Sequence, residues 1–254
     1  MNMKIRPAQI IILLLQVFLA LELYYTKLPS TYEKTAQVMG TTVRIKVNGP
    51  GEPYLADQAI CEIKRLEKLF RPAQLSSYDT IAVLKIAEEV RRASHGAFNV
   101  RWRGAAIDLG GIGKGYAVES ARQLLLKKGA RSAIIDMHSS IAVIGDNWKV
   151  GIQDPREKGK IMGVIPLNDG DALSTSGQYE QPRHIIDPRT GKPADQCLGV
   201  TVVAKDAGLA DALSTAVFVL GPVAGMELVE KFNVRAIIID KNGTIYDNIG
   251  VKLR

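Results

Sequence analysis

Three short stretches of the chain hold residues whose types and spacing suit chemistry. The first is DLGGIGKGY, residues 108–116, where four glycines and two charges fall within nine positions. Such a loop presses its main chain against a ligand. Gly110, Gly111 and Gly113 let the backbone approach an anion. A helix expected from about Lys114 would aim its N-terminal amides at the same place, and Asp108 adds a fixed acceptor. The bland alternative is a tight loop whose glycines supply positive φ. Two familiar motifs do not fit. A P-loop needs Ser or Thr after its lysine, and here Gly115 follows Lys114. A dinucleotide fingerprint needs GxGxxG behind a strand, and here the glycines fall at 111, 113 and 115.

The second stretch is ADALST, residues 210–215. On a helix Asp211 and Thr215 are i and i+4, so they share a face, and their neighbours are apolar. A carboxylate and a hydroxyl on a buried helix are costly without partners. Both are hard oxygen donors suited to Mg²⁺, with a hydrogen bond from Asp211 to a nearby loop as the alternative. The third stretch, HIIDPRTG at 184–191, reads as a turn in which Pro188 biases Asp187 towards an extended backbone. His184 suits a general base for a hydroxyl, with Asp187 holding the turn or orienting the site; a structural histidine is the alternative. Upstream, STSG at 174–177 offers hydroxyls and amides to a phosphate or a ring edge.

The elements that must position these residues follow from periodicity. Alternation over 38–47 predicts a strand, and apolar residues at helical spacing predict helices over 53–70, 80–93, 114–128, 208–220 and 223–232. Further strands are expected at 132–137, 141–144, 148–152, 161–166, 171–175 and 200–204, with a terminal hairpin of 234–240 and 244–246. Helices interrupt strands irregularly. That order favours an α+β or mixed α/β fold, with a central mixed sheet and flanking helices, over a doubly wound sheet.

The bulk properties exclude several classes. The net charge is +7, but the basic residues are spread along the chain apart from pairs such as Arg91-Arg92 and Lys127-Lys128. This marks a preference for phosphates or headgroups, and no nucleic-acid partner is expected. Cys61 and Cys197 form no CxxC pair and read as two buried free thiols, with a disulfide as the alternative. His95, His138 and His184 show no HExxH or HxH spacing. At the N-terminus, Lys4 and Arg6 precede an apolar run over 10–23, interrupted by Gln16 and Glu22. A positive region and an apolar region of this kind read as a signal peptide or a signal anchor. The run is short against the roughly 20 residues of a membrane span. Either reading exports the rest of the chain; a buried N-terminal helix is the structural alternative. The chain thus divides into a signal segment (1–25), a polar linker (26–37) and one domain (38–254).

Taken together, MGTTVRIKV (39–47), DLGGIGKGYAVE (108–119), WxVGIxxP (148–155), STSGQY (174–179), HIIDPRTGKP (184–193), VTVVA (200–204) and ADALSTAVFVLG (210–221) resemble the ApbE family, the FAD:protein FMN transferases. The resemblance implies that family's fold and an exported or membrane-anchored enzyme. With Mg²⁺ it would cleave FAD, join FMN through a phosphoester to a Thr or Ser of a target protein, such as a membrane redox-complex subunit, and release AMP. It implies a metal site of Gly111, through its carbonyl, with Asp211 and Thr215. It implies FAD contacts from Met39, Tyr78, Ala97, Phe98, Asn99, Asp108, Ser176 and His184, with His184 as the candidate base. A non-catalytic flavin or nucleotide binder and an FAD pyrophosphatase stay open as alternatives. IDMHSS (135–140) stands where the family commonly has a GGD-like motif, and the 67–108 region is compact. The resemblance places the protein on the periplasmic or other extracytoplasmic side of the inner membrane.

Overall fold

The stretch 38–47 does not form one strand. The computed structural model, which describes residues 14–19, 31–49, 51–70, 76–104, 106–178 and 183–252, breaks it at Met39-Gly40. β1 (Thr31–Val38) and β2 (Thr41–Asn48) pair as a hairpin with Val38 opposite Thr41. Both turn residues have positive φ, 50° at Met39 and 71° at Gly40. A two-residue turn of that hand matches the right-handed twist of the strands it joins. β1 also takes the place of the second half of the expected linker. Its sequence, TYEKTAQV, alternates in burial: Tyr32, Ala36 and Val38 turn inward with Lys34 interrupting them, and pairing to β2 completes the strand. The rest of the expected signal and linker lies outside the described residues. The exception is 14–19, which is helical (α1) and exposes Leu14, Leu15, Val17, Phe18 and Leu19. Among the described residues no helix is long and apolar enough to cross a membrane.

Two helices follow, α2 (Glu52–Leu69) and α3 (Tyr78–Ala93), then α4 (Gly113–Lys127). β3 (Ser132–Asp136), β4 (Ser140–Ile144), β5 (Trp148–Gln153), β6 (Ile161–Leu167) and β7 (Ala172–Gly177) form the middle of the chain. The short β8 (Ile186–Asp187) and β9 (Lys192–Pro193) precede β10 (Cys197–Ala204). α5 (Ala207–Leu220), α6 (Pro222–Lys231), β11 (Arg235–Asp240) and β12 (Ile245–Asp247) complete the order. The predicted helices and most strands are found within a few residues of their expected ends.

Eight strands form one sheet in the order β1-β2-β3-β4-β7-β10-β11-β12. The α+β class holds, and every ladder in this sheet is antiparallel where a mixed sheet was expected. Short turns join β1 to β2, β3 to β4 and β11 to β12, and a turn that short cannot connect parallel neighbours. Alternation gives the sheet two apolar faces. On one face Ile45, Ile135 and Ala142 pack against α2 and α4, while Val200, Val202 and Ile238 pack against α5 and its neighbours. On the other face Ile141, Val143, Leu173 and Val203 are covered by Ile152, Met162 and Ile165 of the β5–β6 hairpin. The result is three layers: helices, sheet and hairpin.

The cysteines differ from the expected pair of buried thiols. Cys61 is exposed on α2, whereas Cys197 is 4% exposed at the start of β10. Burial, reinforced by the nearby Asp240, pushes the Cys197 thiol up to about 12, so it stays protonated and unreactive at neutral pH. A thiolate reagent should modify one cysteine per folded chain, Cys61, and the second only after denaturation. Mass spectrometry showing both modified in the folded protein would contradict this burial.

Candidate active site

The antiparallel order brings several chain reversals to one end of the sheet. The Met39-Gly40 turn, residues 137–139 between β3 and β4, and the end of β7 meet there. The 97–103 segment, residues 108–114, the 184–188 segment and part of the β5–β6 hairpin close in around them. Together they line a cavity of about 630 Å³.

The floor of the cavity is set by the contact between α4 and α5. A Cβ on Gly115 would stand 2.2 Å from the Ala207 carbonyl oxygen and 2.5 Å from Asp211 Cβ. Only a residue without a side chain permits that approach. The approach lets the Gly115 amide donate to Asp211 Oδ2 at 2.8 Å. Glu119, on the same helix, accepts the Ala207 N–H at 3.1 Å and pairs with the buried Arg122 at 2.6 Å, tying the start of α5 to α4. The Gly115 amide therefore binds Asp211, and does not face the cavity as the sequence pattern predicted. None of Gly110, Gly111, Gly113 and Gly115 has positive φ; close approach accounts for Gly115 and Gly111, whereas a Cβ on Gly113 would make only ordinary contacts.

Asp211 is 4% exposed. Its other oxygen accepts from Ser174 Oγ on β7 at 3.0 Å. Among the described residues it forms no ion pair, so a buried carboxylate is met by two neutral donors. A buried anion without a counter-charge is unfavourable and favours a cation. One helical turn on, Thr215 Oγ1 lies 3.5 Å from the Gly111 carbonyl oxygen. A Cβ on Gly111 would fall 3.0 Å from Thr215 Oγ1 and 3.1 Å from the Phe98 ring, filling this cradle. The donor set is one carboxylate, one hydroxyl and one carbonyl. Among the described residues no group of three or more His, Cys, Asp or Glu gathers. Hard oxygens in small number fit Mg²⁺, which keeps waters and substrate oxygens in its shell.

Most of the other expected residues also reach the cavity. Met39 lines it, held in its left-handed turn, with Glu67 Oε1 accepting its N–H at 2.8 Å. Ala97 and Phe98 are buried in the wall, and Asn99 braces the segment by accepting the Arg101 N–H at 2.9 Å. Asp108 is engaged in the loop itself. It accepts the Gly110 N–H at 2.9 Å and the Trp102 indole N–H at 3.1 Å. Ser176 lines the cavity but sits 2.8 Å from Ser214 Oγ. His184 lines it from an exposed position just before buried Ile185. Asp187 holds the turn: its carboxylate takes the Arg189 backbone N–H and guanidinium at 2.9 Å, and its carbonyl takes the Thr190 and Gly191 N–H groups. Arg189 keeps the Asp187 carboxyl below its usual range.

Tyr78 is the exception. It begins α3 behind the Ser77 cap, is 83% exposed and does not line the cavity. Sequence reasoning missed Trp102, Arg103, Lys114 and His138, all of which line it. Lys114 carries a charge at the start of α4, and Arg103 stacks 4.4 Å above the Trp102 ring. His138 has φ 64° and donates its N–H to Asp136 at 2.8 Å. Only Lys114 had a local signal, its place inside the glycine loop.

Residues 100–238 match the model of the ApbE family. A FAD:protein FMN transferase of Rhodobacter capsulatus is 35% identical over 153 residues, covering 55% of this chain and 29% of that protein. One of Salmonella typhimurium is 28% identical over 186 residues, covering 68% of this chain and 53% of that protein. The chain thus spans about half or less of these curated relatives. Among solved structures, an ApbE protein of Thermotoga maritima superposes with a TM-score of 0.75 at 26% identity, covering 86% of this chain and 97% of that one. The flavin transferase ApbE of Vibrio cholerae shares the fold at 22% identity with a TM-score of 0.76.

The contact at Gly115 makes a sharp prediction. Gly115→Ala should destabilise the fold by about 3 kcal/mol in chemical denaturation, because backbone must move. Gly113→Ala, whose Cβ would meet its nearest neighbour at 3.5 Å, should lie within about 1 kcal/mol of the parent. Equal stability of the two variants would contradict the contact.

Proposed function

The chain belongs to the ApbE family, and we propose that it is a Mg²⁺-dependent FAD:protein FMN transferase that attaches FMN to a Thr or Ser of a target protein and releases AMP. The observation that carries this reading is the buried Asp211, which has no ion pair among the described residues, beside the Gly111 carbonyl and Thr215 hydroxyl on the floor of a cavity that also holds Lys114 and His184. A cavity of this size suits part of a dinucleotide. The transferase names of the curated relatives support the same chemistry.

In this reading Asp211, Thr215 and the Gly111 carbonyl would hold Mg²⁺, which when bound neutralises pyrophosphate charge and stabilises charge developing on it. Lys114 adds a fixed positive charge on the cavity wall. The acceptor hydroxyl oxygen attacks the phosphorus of the FMN half. A new P–O bond forms, the bridging P–O bond breaks, and AMP leaves with the bonding pair. His184 takes the hydroxyl proton, and the Asp187 turn keeps the loop behind it in place. Glu67 fixes Met39 and its hairpin turn against the bound ligand. The basic residues before the apolar N-terminal run support an extracytoplasmic location for this activity.

The test is incubation with FAD, Mg²⁺ and an acceptor domain carrying a Thr. A covalent FMN mass adduct with stoichiometric AMP is expected, and Asp211→Ala should lower the rate by about a hundredfold or more. FMN and AMP without an adduct would assign a pyrophosphatase instead. Bound but intact FAD would assign a binder, and undiminished turnover in Asp211→Ala would refute the metal assignment.

A further inference from the structure

Two serines of β7 point at the helix that carries the proposed cation donors, and hydrogen counting fixes what they do. A serine or threonine hydroxyl has one hydrogen to donate and two lone pairs to accept with. Ser174 Oγ lies 3.0 Å from Asp211 Oδ1, 2.9 Å from the Ser139 carbonyl oxygen and 3.1 Å from Ser140 Oγ. The Ser139 carbonyl already accepts the Thr175 N–H at 2.7 Å. The charged carboxylate is the stronger acceptor and takes the Ser174 hydrogen. Ser140, fully buried, then donates to Ser174. A directed chain results, Ser140 to Ser174 to Asp211.

A second chain runs beside it. Ser214 Oγ donates to the Asp211 carbonyl oxygen at 2.9 Å, which uses its only hydrogen. The 2.8 Å contact between Ser176 and Ser214 therefore has Ser176 as donor. With its hydrogen committed, Ser176 Oγ can only accept from Thr215 Oγ1, 3.3 Å away. Among the described residues Thr215 has one other acceptor in reach, the Gly111 carbonyl oxygen at 3.5 Å. A hydrogen sent to Gly111 would lie between the two oxygens that the proposed cation needs. A hydrogen sent to Ser176 leaves the lone pairs of both Thr215 and Gly111 facing the same space.

We infer that Ser174 and Ser176 are positioning residues that set the hydrogen-bond polarity of the site. Ser174 holds the Asp211 carboxylate, and Ser176 draws the Thr215 hydrogen away from Gly111. This rests on the cation reading proposed above and assigns Ser176 to the metal donors, not to FAD. Groups that orient ligands in this way typically change metal affinity by about 10–100-fold when removed.

The test uses Mn²⁺ alone, titrated into the full chain without FAD and followed by electron paramagnetic resonance. Ser176→Ala and Ser174→Ala should each weaken Mn²⁺ binding by about tenfold or more in protein that circular dichroism shows to be folded, Ser174→Ala with a lowered thermal midpoint because Asp211 Oδ1 loses its donor. Ser176→Thr, which keeps the hydroxyl, should stay within about threefold of the parent. Parent-like affinity in both alanine variants, or Ser176→Thr as weak as Ser176→Ala, would overturn the inference. Asp211→Asn separates the two levels of the account. If the parent binds Mn²⁺ and Asp211→Asn does not, the cation site stands and the serines alone are in question. If the parent does not bind, the cation site fails and the inference fails with it.

Discussion

A carboxylate held in the interior with no positive partner among the described residues is the constraint around which this fold is arranged. Asp211 sits where α5 crosses α4 so closely that residue 115 must be glycine. The crossing gives Asp211 a backbone amide from one side, and β7 gives it a hydroxyl from the other. Two neutral donors orient the carboxylate but do not cancel its charge. Glu119 and Arg122 keep the two helices in register from below, so the arrangement resists relaxing into a fully paired one. Stability and site geometry are therefore linked at one crossing.

The antiparallel sheet supplies the other half of the design. Because neighbouring strands reverse, their turns collect at one end, and the cavity forms where three of them meet. One turn carries strain: Met39 takes a left-handed conformation that costs a non-glycine residue about 1 kcal/mol. The Glu67 carboxylate and the hairpin twist over-determine that conformation. Strained positions of this kind gather at ligand sites, where a side chain must be presented at an angle that relaxed backbone does not give.

The parts of the site legible in the sequence were those written in local spacing. Asp211 and Thr215 at i and i+4 on an apolar helix announced a polar face in a buried place, and the structure has both at the cavity floor. The glycine loop was equally visible, but its reason was not. Positive φ and anion-facing amides are local readings, whereas the actual reason for Gly115 is the backbone of residue 207, which no window around 115 contains. β1 was hard to see because Lys34 interrupts the alternation of Tyr32, Ala36 and Val38 on its inner face, so its strand character is completed only by pairing to β2. Trp102 belongs to the site through a hydrogen bond to Asp108 that spacing does not announce. Tyr78 was expected there, yet as the first residue of α3 it faces solvent. The antiparallel order was lost for the same reason, since strand direction is decided by connections and not by strand composition.

The central claim is that Asp211, Thr215 and the Gly111 carbonyl form one cation site. Its most direct measurement is diffraction at the manganese absorption edge from crystals grown with Mn²⁺ and FAD. The account predicts an anomalous peak at coordination distance, about 2.2 Å, from all three oxygens. A peak bound elsewhere, with the Asp211 carboxylate still held only by Gly115 and Ser174, would contradict it.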